Sequence, residues 1–287
     1  MSFEGIVGNN EIKRLLQNLI DSKNISHSYI FVGKSGIGKF MFAKEFSKEV
    51  LGNSNGEGIS LENNPDFLII APQEGTIKID QIRQMNNKIL EKPIYLSKKV
   101  YIINDADLMT IEAQNALLKT LEEPPEYALI ILIAQNEAKL LTTIKSRSTK
   151  ILFKKIENKE LQKFLEDRNE FDELTENLLN VFDGSIGRAV SFKGKVEKYV
   201  EIEKIFSNLE NMDIIDLFKV KDKYFNKDEI IDYLEYINTI FIEKVKHGNF
   251  NYTKNIESLE NTKQALIRNA NYDMSIDNFF IEMKGNE

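Results

Sequence analysis

Two rhythms of apolar residues alternate along the first half of the chain. Residues 9–23 carry Ile12, Leu15, Leu16, Leu19 and Ile20 at helical spacing, with Asn9 or Asn10 placed to cap the first turn. Tyr29–Val32 is a short unbroken apolar run, the pattern of a buried strand, and Lys39–Leu51 returns to helical spacing through Phe42, Ala43, Phe46 and Val50. The alternation continues with a strand over Phe67–Ala71, a helix over Ile79–Leu90 and a strand over Val100–Ile103. A helix over Ile111–Glu122 is stopped by Pro124-Pro125, and strands follow at Leu129–Ala134 and Lys150–Phe153. The strands are continuous apolar runs, as expected of a parallel sheet covered by helices on both faces.

The strand pattern stops near residue 155. Residues 157–193 predict two or three short helices ending near Gly184-Ser185-Ile186-Gly187-Arg188, and residues 195–287 are helical throughout. The clearest of these helices is Lys227–His247, with Asn226 and Glu229 as a capping pair and Gly248 as a stop. Residues 52–64, rich in Gly, Asn and Ser, read as a mobile loop. The reading is an α/β domain over 1–155, a helical lid over 156–195 and a helical domain over 196–287.

Composition narrows the class. No apolar run reaches membrane-spanning length and no secretory leader is evident, so membrane partners are not expected. The absence of cysteine excludes disulfides and thiolate metal sites and fits a cytoplasmic protein. Of the net charge of −7, residues 200–287 hold −6, with 17 acidic against 11 basic side chains. A surface of that sign is poorly suited to wrapping nucleic acid on its own.

The candidate chemistry begins after the first strand. Gly33-Lys34-Ser35-Gly36-Ile37-Gly38-Lys39 has the G-x-x-x-x-G-K spacing of a phosphate-binding loop, in which backbone N–H groups and a lysine cradle phosphate oxygens at a helix N-terminus. The next position ordinarily offers a Ser or Thr hydroxyl to magnesium, and here it is Phe40. A phenyl ring cannot ligate that ion, and Phe40 reads as a packing residue. The surviving cradle implies at most weakly held ATP or ADP.

Three further stretches stand with the loop: Val100-Tyr101-Ile102-Ile103-Asn104-Asp105-Ala106-Asp107, then Asn115-Ala116-Leu117-Leu118-Lys119-Thr120-Leu121-Glu122-Glu123-Pro124-Pro125, then Ile144-Lys145-Ser146-Arg147-Ser148. Together they resemble the clamp-loader branch of the AAA+ ATPases, and within it the delta-prime family of bacterial DNA polymerase III, over about residues 1–190. The resemblance implies an AAA+ P-loop domain, a small helical lid and an all-α collar that holds subunits in a ring. It implies gamma/tau motor subunits and a delta subunit as partners, and loading of the sliding clamp onto primed DNA as the shared task. Asn104 and Asp105 stand where an active motor of this family carries Asp-Glu, so magnesium binding and ATP hydrolysis by this chain are not expected. Asp105 and Asp107 read better as helix-entry residues before Thr110. Arg147 matches the family's Ser-Arg-Cys arginine, which reaches a neighbouring subunit's γ-phosphate; the plain alternative is a surface salt bridge. Arg188 is one residue late for the family's second phosphate-sensing arginine, which rotates it by about 100° on a helix. The zinc knuckle of some members has no counterpart in residues 52–64. The implied protein is a stator within the DNA polymerase III holoenzyme, a nucleotidyltransferase complex, and itself neither polymerase nor competent ATPase. The rivals are an ATP-hydrolysing motor of the same family, an unrelated P-loop kinase or GTPase, and a scaffold without a finger.

Overall fold

The computed structural model describes residues 3–52, 60–168, 171 and 174–285, so part of the expected loop at 52–64 lies outside the described residues. The chain forms two compact units: Met1–Leu161 with Gly184–Arg188, and Gln162–Asp183 with Ala189–Glu287. Residues 156–195, read from the sequence as one lid, are divided between them.

The first unit is built on a five-stranded sheet of β1 (Ser28–Val32), β2 (Phe67–Ile70), β3 (Lys99–Ile103), β4 (Ala128–Ala134) and β5 (Thr149–Leu152). Every pairing is parallel and the strand order is β2-β3-β4-β1-β5. All residues of β1, β3 and β4 are buried, whereas edge strands β2 and β5 are partly exposed. Successive β1 side chains serve opposite faces. Tyr29 and Phe31 join one core with Leu16 of α1 (Asn10–Asp21) and with Phe42 and Phe46 of α2 (Lys39–Gly52). Ile30 and Val32 join the other core with Ile82 of α3 (Ile79–Leu90) and Leu117 of α4 (Ile111–Glu122). This double covering is why the strands lack polar alternation.

Two local details differ from the sequence reading. Asn9 adopts left-handed backbone and makes no side-chain cap; its amide group instead bonds Lys154 O at 3.0 Å and accepts from Lys154 N at 2.8 Å. In the second unit, the long helix Ile230–Lys246 begins at Ile230 rather than Lys227. Glu229 N donates to Asn226 Oδ1 and Asn226 Nδ2 to Glu229 Oε2, both at 2.8 Å, and this closes a separate turn before the helix. That unit's core includes a run of rings, Phe182–Phe192–Tyr199–Tyr233, at centroid separations of 5.3, 4.6 and 5.2 Å. Among the described residues, no helix is long and apolar enough to cross a membrane.

Candidate functional site

In a parallel sheet of this order, ligands bind beyond the carboxyl ends of the strands, where β1 lies between the later strands β4 and β5. The phosphate loop occupies that place, between the end of β1 and the start of α2. Gly36 and Gly38 have φ of 72° and 93°, left-handed values that disfavour larger residues. Gly36 is also constrained by its neighbours: Gly187 N donates to Gly36 O at 3.0 Å, and a Cβ added at Gly36 would lie 2.2 Å from Ser185 Oγ.

The loop's charge is turned inward. Lys39 is buried, and its Nζ donates to Gly33 O at 2.6 Å and Lys34 O at 2.5 Å. Burial lowers its pKa, against a smaller raising effect of Asp105 and Asp107. A phosphate would have to draw the ammonium away from two charge-assisted hydrogen bonds, each worth about 1.5–3 kcal/mol. Backbone and lysine thus retain the residue types of a phosphate cradle.

The residues at the magnesium position do not fit the ion. Phe40 is half-buried against the α1/α2 core, with Lys44 Nζ 5.8 Å from its ring centroid. Asn104 Nδ2 donates to Asp105 Oδ2 at 2.9 Å. Asp105 precedes the 3-10 turn Ala106–Leu108 in left-handed conformation and makes no side-chain cap there, and the Asp107 carboxylate accepts from Gln135 N and Asn136 N at 3.2 Å each. Entry to α4 belongs to Thr110, whose side chain accepts from Ala113 N. These carboxylates shape turns at the strand ends and leave no ordinary octahedral oxygen set.

Arg147 lies at the opposite end of the strands, beside the amino ends of β1 and β5. Ser28 begins β1, and the β1/β5 register places Tyr29 beside Thr149, with Ser148 Oγ 2.7 Å from Ser28 Oγ. Five residues of parallel strand then separate that level from Gly33, about 17 Å. Arg147 ends the short helix α5 (Thr142–Ser146). Its Nη1 donates to Thr143 O at 3.1 Å and Ser146 Oγ at 3.3 Å, and its Nη2 lies 2.8 Å from Glu122 Oε1. The side chain stays 34% exposed. The arginine and the loop are therefore not parts of one site. Sequence reasoning passed over Glu122, although it sits inside the Asn115–Pro125 motif. Arg188 lies on the segment packed at Gly36, with its N donating to Ser185 Oγ at 3.0 Å.

The family model described as "DNA polymerase III, delta subunit" matches residues 8–157. The chain belongs to that family. It is a clamp-loader AAA+ family member. The tau subunit of DNA polymerase III from Bacillus subtilis (strain 168) is 36% identical over 166 residues, 54% of this chain and 29% of the relative. The delta' subunit of the same organism is 28% identical over 225 residues, 74% of this chain and 68% of the relative. This family member thus spans less than a third of the tau relative's length. A DNA polymerase III gamma subunit-related protein from Thermotoga maritima shares the fold, with a TM-score of 0.56 at 20% identity over 95% of this chain and 99% of that one.

Proposed function

We propose that this chain is a delta-prime-type stator of the clamp loader. It adjoins gamma/tau motor and delta subunits in the cytoplasm and assists ATP-dependent loading of the sliding clamp onto primed DNA. In this reading it supplies Arg147 to a neighbour's nucleotide and hydrolyses none itself. The observation that carries the reading is the place of Arg147: a part-exposed guanidinium at the amino ends of the strands, a strand's length from its own phosphate loop. A cation so placed serves a phosphate on another molecule far better than one on its own loop. The mismatched Phe40 and Asn104 support the same division of roles.

The test is a complex reconstituted from this chain with motor and delta subunits. Arg147→Ala should slow hydrolysis at the adjoining motor site roughly 10³-fold or more in single turnover, as loss of an arginine finger does. Clamp loading should fall with it; undiminished hydrolysis and loading reject the reading. The motor reading draws on the 36% identity to a tau subunit. It requires phosphate release by the purified chain, abolished by Lys39→Ala.

A further inference from the structure

We infer that Glu122 is a positioning residue for Arg147, an inference that rests on the finger role proposed above. An arginine side chain loses rotamer freedom when it is fixed. A finger held in place beforehand spares that loss at the moment of reaction. Here the anchoring is distributed over three elements. Ser148, immediately after the arginine, is hydrogen-bonded through its hydroxyl to the hydroxyl of Ser28 of β1. The end of α5 takes Nη1 through Thr143 O and Ser146 Oγ. Glu122, the last residue of α4, takes Nη2 at 2.8 Å, and this contact sets the direction of the guanidinium plane.

Position suits Glu122 to this task. The carboxylate closes α4, where its charge opposes the negative end of the helix dipole, and the guanidinium offsets both. Glu122 is 49% exposed, so water screens its charge and little of the arginine's pull on a phosphate is cancelled. Orientation therefore outweighs neutralisation. The Pro124-Pro125 pair that follows prevents α4 from running on past this point.

The experiment uses the reconstituted complex with Glu122→Ala, Glu122→Gln, Arg147→Ala and the Glu122→Ala/Arg147→Ala double variant. Assembly of each complex is checked by size. Glu122→Ala should lower kcat for ATP roughly three- to tenfold with KM unchanged, in keeping with an exposed ion pair plus a lost orientation. Glu122→Gln keeps an acceptor oxygen and should recover part of that loss. In the Arg147→Ala background, Glu122→Ala should change nothing further. If Arg147→Ala is damaging while Glu122→Ala leaves kcat unchanged or raises it, the positioning role is overturned and the finger stands. A further drop in the double variant overturns it as well, since Glu122 would then act elsewhere. If Arg147→Ala is itself without effect, the finger reading fails first and the positioning role with it.

Discussion

The two ends of β1 are built to opposite ends. At its carboxyl end, the phosphate loop turns its lysine onto its own carbonyls and packs Gly36 against Gly187. At its amino end, three elements hold Arg147 with its side chain still open to solvent. The loop retains the residues of a binding motif in a closed arrangement, and the arginine has few residues of a motif in an open one. In a protein built on a catalytic fold, a motif records ancestry, whereas solvent access and hydrogen-bond partners indicate which end can act on another molecule.

The sharpest break of this contrast is to separate stability from activity. Arg147→Ala should cost the chain about 1 kcal/mol or less of unfolding free energy, the loss of a part-exposed ion pair, while removing roughly 10³-fold of a neighbour's hydrolysis. The loop should behave the other way. Gly36→Ala forces an L-residue into left-handed backbone and brings Cβ within 2.2 Å of Ser185 Oγ and 3.1 Å of Gly187 Cα. It should cost about 2–3 kcal/mol of unfolding free energy. Gly187→Ala intrudes on the same gap, with its Cβ 2.8 Å from Gly36 Cα. Because both side chains claim one space, the double variant should cost measurably less or more than the sum of the singles. Strict additivity in urea titrations breaks the idea of a shared joint.

The sheet was legible because each strand is buried on both faces and reads as an unbroken apolar run, as in Ala128–Ala134. Its boundaries were legible to within a residue or so: β1 begins at Ser28 and β5 at Thr149, each one position earlier than the apolar run suggests. The helix Ile230–Lys246 starts later than its pattern suggests because the spacing of Asn226 and Glu229 suits either a cap or an independent turn. Asn9 stands at the N-cap position but makes no side-chain cap, because its partner, Lys154, is brought beside it only by the fold. The candidate site divides in the same way. The loop is a contiguous motif and was visible at once, as was Arg147 within its triplet. The pairings that give these residues their character are not contiguous: Glu122 with Arg147, Ser28 with Ser148, Gly36 with Gly187. Spacing along the chain carries no trace of them.

A smaller effect separates a closed loop from a working one. With a phenyl ring at position 40 and an amide at 104, the protein offers the ion no ordinary ligand set. ATP titrated into the chain should bind weakly, and excess EDTA should shift its apparent Kd by no more than about threefold, under 1 kcal/mol. A tenfold dependence on magnesium breaks the comparison, because it requires oxygen ligands the loop does not display.

The smallest effect reads the buried ammonium itself. Burial lowers the Lys39 pKa below its ordinary 10.5, and the two aspartates only partly restore it. In the interval between the folded and unfolded values, the unfolded chain binds the extra proton, so this group makes stability rise with pH. The tyrosines oppose that slope: Tyr29 and Tyr101, raised by burial, ionise first in the unfolded chain. A difference measurement removes them. The unfolding free energy of the chain minus that of Lys39→Met should increase as pH is taken up toward 10.5. A decrease over the same interval means that Asp105 and Asp107 outweigh burial. The ammonium would then be held by opposite charge, as in a loop primed for phosphate, and the contrast between the two ends of β1 would narrow to Phe40 and Asn104 alone.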